Sequence, residues 1–237
     1  MDDLSSRYLD AFNAIEKWLR TQVNSPDRMD FPELVDTVSD SNYSVRRHNP
    51  VLKDLNRFRN YVVHQYRRLK PLAVPTDEAV EQITAIRNEL LSPPSLFSLA
   101  TKPVEQCGPS EPLGVSVRKM HDGVFSQLPI HDGQKCYGLL TAETIARWLA
   151  NHLEDGVGLV EEKPIADVMK HQEDYENHTF LGRTATVADG LAAFDAFLRR
   201  GKRLEAILIT QNGRPSESLL GIVTINDIPK LNQAIHR

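Results

Sequence analysis

Two short strings in this chain carry residue types that could do chemistry. In RFRNYVVHQYRR, residues 57–68, Asn60 and His64 stand four apart and would project together from a helix, with Arg59 directly before them. A histidine titrates near neutrality and suits general acid–base work. In GIVTIND, residues 221–227, a glycine is followed by a threonine three positions on and an aspartate three further. Gly221 would let the backbone approach a ligand closely, and Thr224 offers a hydroxyl at a strand end. The carboxylate of Asp227 can accept from a pair of ligand hydroxyls. Thr224 could also cap the helix that follows, with Asp227 favouring that helix's positive end.

The elements that must hold these strings differ in kind. Over residues 5–23 the apolar positions Tyr8, Leu9, Phe12, Ile15, Trp18 and Leu19 make a helical stripe. A turn is expected at 24–30, a short helix at 31–39 and a polar loop, holding His48, over 40–50. A helix follows from about 51 to 69, closed by Pro71 and Pro75, and another from about 76 to 91. Residues 1–92 are therefore expected to form an all-α bundle. On the 51–69 helix, Val51, Leu55, Phe58, Val62, Tyr66 and Leu69 share one arc, while Lys53, Arg57, Asn60, His64, Arg67 and Arg68 share the opposite one. Arg59 falls inside the apolar arc, where an unpaired guanidinium is costly. It must snorkel, find Glu16 or Glu33, or face a second subunit.

After Pro93-Pro94 the grammar changes. SQLPIHD, KCYGLLT and the helical AETIARWLANHL run in the same order as EAILITQNG, SLLGIVT and INDIPKLNQ, each set preceded by a helix near 111–124 or 187–200. A repeat of roughly 60–70 residues is too long for the common solenoids. It predicts a pseudo-symmetric pair of βαββα units over 93–237, one at about 93–155 and the other at about 160–237. The fold class expected is α+β.

Composition narrows the function. The net charge of −4 does not advertise nucleic-acid binding, and no DNA sequence recognition is expected. The stretch 46–70 is nevertheless strongly basic and could hold a polyanion. Cys107 and Cys136 lack disulfide or metal spacing and read as small buried hydrophobes in a reducing compartment. MDDLSSRYLD has no apolar signal core and no run is long enough for a bilayer, so a cytoplasmic protein without membrane partners is expected. There is no Gly-rich phosphate loop, nucleophile elbow or paired set of metal ligands, and no metal is expected. His121, Asp122 and His131 read as solvent-facing turn residues, and His171 and His178 as the flanks of an acidic loop.

PIHDGQKCYGLLTAETI and ITQNGRPSESLLGIVTINDI resemble the signature of CBS domains, the cystathionine-β-synthase repeats, over about residues 93–233. That resemblance implies an adenine nucleotide (AMP, ADP, ATP or S-adenosylmethionine) as a regulatory ligand held by Gly221, Thr224 and Asp227. Arg203, in the basic run 199–203, would contact phosphate. The first repeat has Thr144 where the aspartate is expected, and threonine cannot make the paired charge-assisted contact, so its cleft should be weak or vacant.

Arg59-Asn60-x-x-x-His64, together with the opening helix FNAIEKWLR, resembles the HEPN domains. This implies a homodimer that cleaves RNA without a metal. His64 would serve as general acid or base, Arg59 would stabilise phosphate charge and Asn60 would orient one of them. The joint expectation is a nucleotide sensor regulating a metal-independent endoribonuclease. The alternative is a non-catalytic sensor or scaffold whose helical part mediates dimerisation or partner binding.

Overall fold

The structure, a computed structural model, describes residues 3–24, 26–63, 73–133, 135–152, 161–172 and 176–235. Two compact units divide them. One takes the described residues of Met1–Pro94, Thr186–Leu191 and Lys230–Arg237, and the other takes Ser95–Ala185 and Ala192–Pro229.

The first unit is built on helices α1 (Asp3–Thr21), α2 (Phe31–Ser39), α3 (Tyr43–Val63) and α4 (Asp77–Leu91). Its core takes Tyr8, Phe12 and Ile15 from α1, Leu34 and Val38 from α2, Val45 and Leu52 from α3, and Ile83 and Leu90 from α4. The start of α2 is fixed by a capping box: Asp30 Oδ1 accepts from Glu33 N–H at 2.9 Å, and Asp30 N–H donates to Glu33 Oε2 at 3.0 Å.

Residues 43–50 are helical rather than a loop, and α3 runs straight through Pro50. An interior proline costs about 3 kcal/mol, but Val45 and Leu52 on either side of it are buried, and Asn42 Oδ1 caps the start by accepting from Val45 N–H at 3.0 Å. His48 is thus a helix residue, its Nε2 lying 2.8 Å from Oε2 of the buried Glu89 on α4. Burial alone would raise the Glu89 pKa. Hydrogen bonds from His48 and Ser44, with the charges of His48 and Arg47, outweigh it and hold the carboxyl below its ordinary range.

The second unit opens with α5 (Leu96–Leu99) and α6 (Leu113–Gly123). Strands β1 (Gln127–His131) and β2 (Cys136–Thr141) pair antiparallel, with Leu128 opposite Leu140, and α7 (Ala142–Ala150) follows. After the short α8 (Ile165–Val168) comes a sheet ordered β3 (His178–Gly182), β4 (Ala206–Thr210), β5 (Gly221–Thr224). β3 runs parallel to β4 and β4 antiparallel to β5. Helix α9 (Val187–Arg199) joins β3 to β4, as a parallel pair requires, and α10 (Ile228–Ile235) follows β5. AILIT is buried throughout, and apolar as far as Ile209, because β4 is the central strand.

Cys107 bridges β1 in parallel: its N–H donates to the Pro129 carbonyl at 3.0 Å and its own carbonyl accepts from His131 N–H at 2.8 Å. Both cysteines are buried and free. Burial pushes the Cys107 thiol up to about 11 and raises that of Cys136, so neither supplies a thiolate near neutrality.

One expectation for the histidines needs correction. His131 is buried, with Nδ1 accepting from Gly133 N–H at 2.9 Å. His178 opens β3, and burial lowers its pKa.

Candidate functional site

β5 delivers Thr224 to the end of its sheet, where a three-residue 3₁₀ turn, Ile225–Asp227, leads into α10. The Thr224 backbone N–H donates to Asp227 Oδ2 at 2.7 Å, and its hydroxyl donates to the same oxygen at 3.0 Å. The carboxylate is thereby fixed across the turn with two of its roughly four acceptor positions used. Two remain for a ligand, so capping and binding are compatible roles for this pair.

A cavity of about 150 Å³, open to solvent, adjoins the pair. Thr224, Asn226, Asp227 and Ile222 form one wall. Thr101 and Glu105 join from the stretch before α6, and Val124, Phe125, Ser126, Gln127 and Leu128 come from its far end. Thr101 is tied to β5 by two backbone bonds: its N–H donates to the Ile222 carbonyl at 2.9 Å, and Ile222 N–H donates back at 3.2 Å.

The glycine of the motif serves this pairing. A Cβ on Gly221 would stand 2.9 Å from the Ala100 Cβ, so the close approach at this position is to the chain itself. Gly221 is buried and is not among the residues that line the cavity.

The aromatic wall is set by the end of α6. Phe125 N–H donates to the Met120 carbonyl at 2.8 Å and Val124 N–H to the His121 carbonyl at 3.2 Å, which turns the chain sharply. That turn holds Val124 at φ 54°, a left-handed conformation that a β-branched residue rarely adopts. A Cβ on Gly123 would overlap the Phe125 ring, so glycine lets the ring fold back. Gln127, at the start of β1, is anchored through Nε2 to the Glu205 carbonyl at 3.3 Å, and its Oε1 accepts from Ser126 Oγ at 2.6 Å. None of these wall residues was singled out by the sequence motif. The glycine before an exposed Val-Phe pair was the one available signal.

The equivalent turn after β2 is closed. Thr141 Oγ1 accepts from Thr144 N–H at 3.0 Å, the two hydroxyls lie 2.9 Å apart, and Thr144 is 1% exposed. Arg203 does not line the cavity; its Nε lies 2.8 Å from Glu205 Oε1.

In the helical unit, Arg59 is half-buried with its guanidinium 5.7 Å from the Phe12 ring centroid, and Nη1 donates to Asn60 Oδ1 at 3.4 Å. Its buried Nε has no hydrogen-bond partner among the described residues. Glu16 is held instead by Arg20 at 2.6 Å, and Glu33 by the capping box. Asn60 is exposed. His64 lies outside the described residues, as do Arg67 and Arg68. On the exposed face Lys53 pairs with Asp36 at 2.6 Å and Arg57 with Asp54 at 2.9 Å.

The family model of the CBS domain matches residues 96–151. Residues 96–151 are a CBS domain. Thr101, Glu105 and Val124–Leu128 therefore lie inside the CBS domain, while Ile222, Thr224, Asn226 and Asp227 come from outside the matched stretch.

Three of the solved structures similar to the chain illustrate the likeness. The CBS domain pair of MJ0100, in complex with 5′-methylthioadenosine and S-adenosyl-L-methionine, is 19% identical over 60% of this chain and 97% of its own, with a TM-score of 0.44. The CBS-domain protein ATU1752 of Agrobacterium tumefaciens is 17% identical over 58% and 98%, with a TM-score of 0.43. CBSX2 in complex with AMP is 14% identical over 61% and 99%, with a TM-score of 0.44. No curated protein matches the sequence.

Among the described residues no three His, Cys, Asp or Glu side chains converge as metal ligands would. No described helix is long and apolar enough to cross a membrane.

Proposed function

We propose that the protein is a regulatory sensor in which the CBS domain and the stretch around 222–227 together hold an adenosine compound. On this reading residues 93–237 are a tandem of two repeats. The order of elements supports that: the Cys107 bridge, α6, β1, β2 and α7 run parallel to β3, α9, β4, β5 and α10. The single observation that carries the binding site is the cavity beside Thr224 and Asp227, whose carboxylate keeps acceptor capacity for a pair of ribose hydroxyls. Phe125 and Val124 offer apolar surface for a base.

Calorimetric titration of the full chain with adenosine, AMP, ATP and S-adenosylmethionine tests the reading. At least one should bind, and Asp227→Ala should weaken it about 30-fold or more, the cost of losing a charged acceptor from a bidentate contact. Absence of heat with all four, or equal binding by Asp227→Ala, would sink it.

A second reading adds a metal-independent endoribonuclease in residues 1–92 under control of that ligand. It rests on Arg59, Asn60 and His64 and is favoured by the Arg59 Nε, a buried cationic donor with no hydrogen-bond partner among the described residues. The pairing of Lys53 and Arg57 with carboxylates weighs against a broad RNA-holding face and leaves scaffolding or dimerisation as the other use of the bundle. Incubating the protein and its His64→Ala variant with mixed RNA in EDTA decides between them: cleavage by the first alone supports the ribonuclease.

A further inference from the structure

The charge of the cavity narrows the ligand beyond its adenosine class, an argument that rests on the reading of Thr224 and Asp227 as a ribose site. Eleven residues line the cavity, and the ionisable ones are Glu105 and Asp227. Neither lysine nor arginine is among the described residues that line it.

Of the cations near these residues in sequence, Lys202 and Lys230 do not line the cavity, and the others make contacts elsewhere. Lys102, next to Thr101, donates from Nζ to the Phe97 carbonyl at 2.9 Å and sits 4.2 Å over the Phe97 ring. In the basic run before β4, Arg199 pairs with Asp195 at 3.0 Å and Arg203 with Glu205 at 2.8 Å. Arg200 donates to the Ala196 carbonyl at 3.0 Å and lies over Phe197. The turn Ile225–Asp227 leads into α10, but its first donors are already used: the Thr224 N–H is spent on Asp227 and the Ile225 N–H on the Glu205 carbonyl at 3.1 Å. Among the described lining residues a phosphate would therefore meet two carboxylates and no lysine or arginine.

We infer that the cavity selects an adenosine derivative whose 5′ substituent is neutral or cationic and excludes adenosine phosphates. Asp227 takes the ribose hydroxyls in either case. Glu105, exposed at the rim, is the group that decides between substituents, because it repels an anion and attracts a cation. Both carboxylates are partly exposed, so the effect is discounted for solvent: we expect ATP to bind about tenfold or more weaker than adenosine at low salt.

The test is calorimetry on the full chain in EDTA with adenosine, S-adenosylmethionine, AMP and ATP as the probes. The expected order of affinity is S-adenosylmethionine at or above adenosine, then AMP, then ATP. Raising salt should tighten ATP and loosen S-adenosylmethionine, since screening relieves repulsion and attraction alike. Glu105→Lys should reverse the order of ATP and S-adenosylmethionine, and Glu105→Gln should narrow the gap between them. ATP or AMP binding as tightly as adenosine, or an order unmoved by Glu105→Lys, overturns the selectivity and leaves the ribose site standing. Binding of none of the four removes the site itself.

Discussion

The turns after β2 and β5 begin alike and end differently. Thr141 and Thr224 both stand at a strand end, and each is hydrogen-bonded to the residue three positions on. In the first turn that residue is Thr144, which is 1% exposed and spends its hydroxyl on its neighbour. In the second it is Asp227, half-buried beside a cavity with acceptor capacity to spare. A shared capping geometry therefore says where a site could be, and the chemistry of one side chain, with the space beside it, says whether there is one. Glu89 in the bundle supplies the third case, a carboxylate that is sealed in and needs His48 at 2.8 Å to be there.

The comparison can be broken most forcefully at the closed turn. Thr144→Asp would place a carboxylate in a buried site, and we expect a loss of about 3–5 kcal/mol rather than a new binding site. Chemical denaturation with and without adenosine reads both outcomes, and a stable variant that gained a second site would overturn the contrast.

His48→Ala should cost about 3 kcal/mol, because it strands the Glu89 charge. The same pair sets an acid limit. Glu89 titrates below its ordinary 4.5 when folded, so its contribution is complete above that pH. It is lost as pH falls from 4.5 through the lower folded value. Denaturation midpoints should therefore drop over that window in the parent and stay flatter in Glu89→Gln.

At the open turn, Asp227→Ala should cost only about 1 kcal/mol of stability, the worth of a cap, while ligand binding weakens about 30-fold or more. The smallest effect belongs to the cavity wall. Val124→Gly relieves a left-handed β-branched residue at the expense of added chain entropy, for a net gain of about 0.5–1 kcal/mol in thermal unfolding.

Much of the scaffold was legible because its periodicities are strong. The stripes of α1, α2 and α4 and the apolar runs of β1, β2, β4 and β5 all fall where the pattern puts them. Residues 43–50 were hidden by their polar composition and by Pro50, whose unfavourable helix propensity is overridden by the burial of Val45 and Leu52. β3 was hidden because HTFLG is half-buried throughout, with no alternation to read, and it pairs with a strand beginning 28 positions later. Thr224 and Asp227 could be found by spacing because their relation is local. Thr101, Glu105, Val124 and Phe125 could not, since they reach the cavity through the Thr101–Ile222 pairing and the sharp exit from α6.

The pairing of Thr101 with Ile222 also orders events in time. As the chain is synthesised, residue 101 waits for 121 more residues before its partner exists, roughly ten seconds at ordinary rates of translation. Until about residue 227 has emerged and β5 has docked, the cavity lacks one wall, and such a long-range closure is among the slower steps of folding. A ligand that requires that wall cannot rescue a nascent or truncated chain, and adenosine protection against a protease would report that the two distant stretches have met.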